Sequence, residues 1–459
     1  MSLHCLRLAA CLAALALTLS VSSSSVLLEE DIRSAAQRSE RPAAASGTLM
    51  MESVPAMLPE PDPRPVLTQE DVDQALAEVM EDFTAAAVSV ATVERGQLSQ
   101  SGAWGWAVKD EREMTPDTKM RVASLSKVVV AMCAMAMEEE GLLDLDAPLS
   151  DYWGPGVRNP YSKGQPSART LMTHTSSLRD LETTRGLSRL QSLLRSAYSW
   201  RSMEPGSWGY WYYSNFGVCV LGTTLELACN GLLEDYLQAH ILQPLGVDAS
   251  FFAETLAPEQ LAALYTTGGV GRSIAEQIAQ STPTQIGQSA SYFPGGFTAS
   301  AVDMAKLAAV LANDGVYKTP IYSYVETASD EEQSLVRVVL RMMEPQYIQT
   351  RILSEASVEA METPYFTVDP VTSTPFEQCL ILRRQEDILG QDVLYYHTGS
   401  AYGVFTLMTY NPDTQNGVVV LATGAPRSTD ERGLYSLCAS LSGKLYEKMD
   451  RGGPNQPAA

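Results

Sequence analysis

The sequence predicts an α+β fold: one antiparallel sheet assembled from both ends of the chain, flanked by terminal helices, with an all-helical lobe inserted on one side. Three observations carry that prediction. Two strand-like runs, Ala86 to Val93 and Leu98 to Val108, lie early in the chain, with Arg95-Gly96-Gln97 at their turn. Three more, Val393 to His397, Tyr402 to Tyr410 and Val418 to Thr423, close it. Between the two groups, up to about Gln385, the pattern is mixed, mostly helical and loop-like.

In chain order, residues 1–25 place Arg7 before the apolar run Leu8 to Leu17 and end in Ser22 to Ser25. That is the pattern of a secretory signal peptide, or of an N-terminal anchor if it is not cleaved. Residues 26–66 are rich in Ala, Ser, Pro and Glu and read as a disordered linker. The folded domain is expected over 67–450, with 451–459 as a tail. Thr68-Gln69-Glu70-Asp71 opens its first helix, with Thr68 as the cap. The run Val128 to Met137 reads as a buried helix that exits at Gly141. Pro294-Gly295-Gly296-Phe297-Thr298 leads into a further helix, Ala301 to Ala312. Asn411-Pro412-Asp413 and Asn416-Gly417 make the last two strands a hairpin, and a helix from about Asp430 to Lys448 ends the domain.

Composition excludes several function classes. The 459 residues carry a net charge of -22, which argues against nucleic-acid or anionic-membrane binding. Contact with a membrane is expected only through an uncleaved N-terminal segment. Seven cysteines are scattered without metal-type spacing; Cys133, Cys219, Cys229, Cys379 and Cys438 read as core thiols. Four histidines, His4, His174, His240 and His397, form no ligand pair, so neither metal nor cofactor is expected. His174 reads as a loop-ordering group rather than a base.

Three short motifs carry chemistry. Ser124 and Lys127 form the chain's single Ser-x-x-Lys pair, at the start of the apolar helix. Residues three apart share a helix face, and the helix N-terminus favours an alkoxide. A buried lysine binds its proton less tightly and can serve as a base. Tyr213-Ser214-Asn215 is the single Tyr-x-Asn and supplies a phenol and an amide. His397-Thr398-Gly399 lies on a predicted strand, where Gly399 offers no β-carbon to block a substrate backbone. Trp208 and Trp211 either line a pocket or pack.

With these motifs in this order, the chain from about Leu67 to Lys448 resembles the serine hydrolases of the β-lactamase and penicillin-binding-protein superfamily. It is most similar to the branch of class C β-lactamases, D-alanyl-D-alanine carboxypeptidases and related esterases. Leu142-Leu143-Asp144-Leu145-Asp146, Leu171-Met172-Thr173-His174-Thr175-Ser176, Gln243-Pro244-Leu245-Gly246 and Gly295-Gly296 look like further landmarks of that branch. The resemblance implies an α/β sandwich with an all-helical lobe, and an acyl-enzyme mechanism. It makes Ser124 the nucleophile, with Lys127 and Tyr213 sharing its proton. Asn215 would orient the substrate amide, and the N–H groups of Ser124 and Ser400 would form the oxyanion hole. His397, Thr398 and Gly399 would line the substrate site. In other members of the superfamily the second and third motifs read Ser-Asp-Asn and Lys-Thr-Gly. His397 departs from the lysine of that pattern and is charged only in part near neutral pH. The expected function is therefore a secreted or envelope D-Ala-D-Ala carboxypeptidase-like peptidase or amidase. A carboxylesterase or class C-like β-lactamase is the alternative, and a slow penicillin-binding or sensor protein is the alternative of another class. Expected substrates are small molecules or peptides, such as a peptidoglycan stem peptide or a β-lactam. The absence of a Gly-x-Ser-x-Gly elbow disfavours an α/β-hydrolase.

Overall fold

Helix α1 (Gln69–Asp82) starts where the sequence places its cap. The Thr68 hydroxyl accepts the Asp71 N–H at 3.2 Å and the Asp71 carboxylate accepts the Thr68 N–H at 3.1 Å. Such a cap stabilises a helix by about 1 kcal/mol. Val72, Ala75, Leu76 and Val79 form its buried stripe, at the spacing of one helix face. The structure is a computed structural model that describes residues 67–279, 282–320 and 347–450. The expected leader, linker and tail (1–25, 26–66 and 451–459) lie outside the described residues.

Strands β1 (Ala87–Glu94), β2 (Gln97–Val108) and β3 (Arg112–Glu113) follow α1. The longer helices of the middle are α2 (Ser126–Glu139), α3 (Asn215–Cys229) and α4 (Ala301–Ala312). Then come β4 (Phe366–Val368), β5 (Phe376–Gln378), β6 (Arg383–Ile388), β7 (Gln391–Ala401), β8 (Val404–Asn411) and β9 (Asn416–Thr423), and finally α5 (Ser436–Met449). Together they build a nine-stranded antiparallel sheet in the order β4-β5-β6-β7-β8-β9-β1-β2-β3. The two ends of the chain meet at its centre, where Val90 pairs with Val420.

Alternation along the strands gives the sheet two apolar faces. Val88 and Val90 of β1 face α1 and α5, joined by Leu394, Tyr396, Leu407, Val418 and Val420. Ala87, Ala91 and Val93 face the other way, with Met408, Tyr410, Val419 and Leu421, against α2, α3, α4 and the helical lobe. Strands β8 and β9 are buried along their whole length, which explains their near-continuous apolar runs.

Several bounds differ from the sequence expectation: β7 runs over Gln391–Ala401 rather than Val393 to His397, and Tyr402, expected in the next strand, lies in the turn before Val404. Strands β4 and β5, and the start of β6, fall inside the stretch read as helical and loop-like. β4 and β5 have three residues each, too few for either periodicity to mark them. The last helix begins at Ser436 rather than Asp430. There the Asp430 carboxylate accepts the N–H groups of Arg432 and Leu434 and holds a turn instead.

Candidate active site

The Ser124 turn is built by cross-links from three elements. Met120–Arg121 pairs with Thr298–Ala299, and the Val122 N–H donates to Phe297 O at 2.9 Å. From β8, the Thr406 hydroxyl donates to Val122 O at 3.0 Å. Ala123 then takes a left-handed conformation with φ 51°, which costs a non-glycine residue about 1 kcal/mol or more. Ser126 holds that bend: its buried hydroxyl donates to Ala123 O at 2.6 Å and accepts the Phe297 N–H at 3.0 Å. Ser126 is thus the structural hydroxyl of the pair. Ser124, half-buried, lies in the tight turn Ala123–Leu125 just ahead of α2 rather than within that helix.

Lys127 is fully buried at the start of α2. Its Nζ donates to Ser124 Oγ at 3.0 Å, to Asn215 Oδ1 at 2.9 Å and to Pro294 O at 2.5 Å. Three neutral oxygens therefore satisfy an ammonium that has no carboxylate partner among the described residues. Asn215 reaches Lys127 because it opens α3. Ser214 caps that helix, its hydroxyl accepting the Gly217 N–H at 2.8 Å and donating to Asp180 Oδ1 at 3.0 Å. Pro294 and Asp180 were not identified from the sequence. Pro294 acts through its carbonyl, and Asp180 lies 34 residues from Ser214, so neither leaves a local signature.

Tyr213 sits beside this pair. Its ring centroid is 5.0 Å from Lys127 Nζ, 4.6 Å from the His174 ring, 6.4 Å from Trp211 and 6.4 Å from His397. Trp211 lines the wall, donating from Nε1 to Gln378 Oε1 at 2.9 Å and meeting Phe376 edge-on.

Strand β7 supplies the opposite rim. Strand β6 pairs with it only as far as Tyr396, so from residue 397 to 401 the outer edge has no strand partner among the described residues. The β7–β8 hairpin closes through Tyr402 and Gly403, both with positive φ, as a two-residue primed turn requires. In that register Ala401 and Val404 exchange hydrogen bonds, and the alternate residues Ser400 and Thr398 turn their N–H and C=O groups to the free edge. Their side chains are also the accessible ones, whereas His397 and Gly399 are buried.

Two expectations for this strand are revised. A β-carbon at Gly399 would lie 2.3 Å from Thr406 Oγ1, 2.7 Å from Val122 O and 2.9 Å from Ser124 N. Glycine is needed there so that the strand can approach the nucleophile turn, not to leave room for a substrate backbone. His397 is 1% exposed and its Nδ1 bonds Thr398 O at 2.7 Å. Burial, then the charges of Arg383 and Lys127, hold its pKa well below the ordinary histidine value, so it is a neutral ring. His174 is held neutral in the same way, with a pKa of about 3 set by burial and by Lys127 and Arg383. No group of three or more His, Cys, Asp or Glu side chains arranged to hold a metal occurs among the described residues.

The beta-lactamase family model matches residues 72–439. Among curated proteins, the chain is 32% identical over 203 residues to Esterase EstB of Burkholderia gladioli, covering 39% of this chain and 50% of that one. It is 28% identical over 159 residues to the D-alanyl-D-alanine-carboxypeptidase/endopeptidase AmpH of Escherichia coli, covering 31% and 39%. The chain thus spans half or less of the length of these two relatives. Among solved structures, a beta-lactamase/D-alanine carboxypeptidase from Yersinia pestis superposes with a TM-score of 0.60 at 18% identity, covering 83% of this chain and 98% of that one. A class C beta lactamase from Rhodobacter sphaeroides gives 0.56 at 21%, covering 83% and 98%. At these identities the likeness is one of fold.

Proposed function

This chain belongs to the beta-lactamase family, and from that premise we propose that this serine hydrolase is a D-Ala-D-Ala carboxypeptidase-like peptidase or amidase with Ser124 as its nucleophile. The observation that carries the reading is the contact between the accessible Ser124 hydroxyl and the buried Lys127 ammonium, set beside a free strand edge. A peptide lying along residues 397–401 would find the main-chain groups of Thr398 and Ser400 and add to the sheet as one more strand.

In this reading the reactive pair is a Tyr213 phenolate beside the Lys127 ammonium; Ser124 Oγ attacks the substrate carbonyl carbon, and its proton passes to the phenolate oxygen. The carbonyl oxygen gains charge facing the N–H groups of Ser124 and Ser400. As the C–N bond breaks, the proton moves on to the leaving amine. Water then attacks the acyl-Ser124 ester, and the same pair takes the proton of water and returns one to Ser124. Asn215 Oδ1 holds Lys127 in place, and its amide NH2 is the group that would meet the substrate amide carbonyl.

A neutral His397 brings no charge to a substrate carboxylate. Arg383 supplies one. Its guanidinium stacks 4.5 Å from the Phe376 ring centroid, has no carboxylate partner among the described residues and acts electrostatically on both His174 and His397. We assign it to the C-terminal carboxylate of the peptide. The same neutral His397 favours a second reading, a carboxylesterase for uncharged acyl groups. It argues against rapid β-lactam turnover as the main activity. Residues 67–450 would form the hydrolase domain, and the Arg7-led apolar run would direct it to the envelope or outside the cell.

Steady-state turnover of a D-Ala-D-Ala peptide, a p-nitrophenyl ester and nitrocefin, each against Ser124→Ala, tests the assignment. D-Ala release faster than nitrocefin hydrolysis, lost in the variant, is expected. Ester turnover alone would move the reading to the esterase, rapid nitrocefin turnover would move it to the β-lactamase, and one acylation without turnover would leave a binding protein.

A further inference from the structure

We propose that His174 is the positioning residue for Tyr213: it grips the main chain on both sides of the tyrosine and packs against the phenol. This role rests on the reading of Tyr213 as a partner in proton transfer.

The grip consists of two hydrogen bonds to one residue. The Tyr212 N–H donates to His174 O at 3.0 Å, and the Ser214 N–H donates to His174 Nδ1 at 3.4 Å. Between those two points the Tyr213 ring lies 4.6 Å from the His174 ring, tilted by 44°. The Tyr213 hydroxyl makes no hydrogen bond among the described residues, so its position depends on what holds the base of its side chain. Ser214 extends the grip, because the same residue caps α3 and so fixes Asn215 against Lys127.

His174 is itself held firmly. It takes φ 58°, its N–H donates to Leu171 O at 3.2 Å, and the next residue closes onto Thr170 O at 2.8 Å. The ring is 4% exposed. An acceptor at Nδ1 fixes the tautomer: the ring proton sits on Nε2, which is buried without a partner among the described residues. A second proton would put N–H against N–H at Ser214. The charged and titratable groups around the ring are Lys127, Arg383, His397 and Tyr213; burial and the two cations oppose that proton, so the grip persists across the neutral range. Displacing a reacting group by about 1 Å costs roughly 100-fold in rate, which gives the grip catalytic weight.

The test compares two amide substitutions. His174→Asn places an oxygen near the Nδ1 position and tolerates the left-handed backbone. His174→Gln carries its amide to the Nε2 position and leaves the Ser214 N–H unmatched. Each is made alone and with Tyr213→Phe, and acylation and turnover of a p-nitrophenyl ester are measured with melting temperatures alongside. We expect His174→Gln to lower kcat by about 10- to 100-fold at nearly constant KM, and His174→Asn to recover most of that loss. In the Tyr213→Phe background the loss caused by Gln should shrink to the smaller part that acts through Ser214 and Asn215. Equal losses in the two backgrounds, or a folded Asn variant as poor as Gln, would overturn the proposal. If turnover survives Ser124→Ala, the reading of the site itself fails, and that result is distinct from a Ser124-dependent activity that ignores His174.

Discussion

Gly399 and Ser124 are packed so closely that a β-carbon on the first would stand 2.9 Å from the amide nitrogen of the second. The strand edge and the nucleophile turn are therefore one rigid unit, and the two N–H groups assigned to the oxyanion sit on either side of that contact.

Gly399→Ala should accordingly separate β7 from the turn. The nearest obstacles are the main chain of Val122 and Ser124 and the Thr406 hydroxyl. The expected cost is about 1–3 kcal/mol of stability, the range for overpacked sites, together with a fall in kcat of roughly 100-fold or more through the misplaced oxyanion donor. Urea unfolding and single-turnover acylation check the two effects separately. A variant with full acylation rate would show that the contact does not matter.

Two serines in the same turn should respond in opposite ways. Ser126→Ala leaves the Phe297 N–H unpaired inside the fold and leaves Ala123 O with only the main-chain N–H of residue 126, which should destabilise by about 1–3 kcal/mol. Ser124→Ala removes an exposed-side hydroxyl whose loss should leave the melting temperature nearly unchanged while abolishing acylation. Calorimetry of both variants, with an ester assay, decides whether the roles are divided this way.

Glu226 predicts a pH dependence of stability. It lies buried in α3 with its carboxylate facing the Gly287 N–H at 2.7 Å, and burial pushes its pKa from 4.5 up to about 7. A carboxyl raised in the folded state holds its proton in the native protein while the unfolded chain has released it. Its contribution is present below pH 4.5 and is lost as pH rises through about 7. Glu226→Gln should flatten that part of the stability profile in urea titrations between about pH 5 and 7. An unchanged slope would assign the dependence to other groups, of which Glu362, also raised to about 7 by burial, is the first to replace.

Arg383→Met separates the two substrate readings. If the guanidinium meets a peptide carboxylate, KM for a D-Ala-D-Ala peptide should rise by about 10- to 100-fold, in line with about 1.5–3 kcal/mol for a charge-assisted hydrogen bond. An uncharged ester should feel much less. Equal effects on both substrates would argue that Arg383 acts only through packing on Phe376.

Much of this arrangement was legible in the sequence because it rests on short spacings. The three-residue interval of Ser124 and Lys127 brought their side chains within 3.0 Å, and the Thr68–Asp71 interval produced a complete capping box. Helix α4 has the bounds its apolar period implied. What was not legible came from the tertiary fold. Strands β4 and β5 have three residues each, too short for a period to show, so only the sheet beside them defines them. The third acceptor on Lys127 is a main-chain carbonyl, and any residue type has one. The inward turn of His397 and the reason for Gly399 both depend on where β6 stops and how closely β7 meets the Ser124 turn, and no local pattern encodes either.

Whether Ser124 is the acylated nucleophile is read from the intact mass of the purified protein after exposure to benzylpenicillin, with Ser124→Ala alongside. A lasting adduct of one drug molecule, absent in the variant, is the result expected if the Ser124–Lys127 pair acylates and the site with a neutral His397 turns β-lactams over slowly. An adduct that persists in Ser124→Ala would remove Ser124 from the mechanism. Rapid consumption of the drug by the wild-type protein without any adduct would refute the role given to His397.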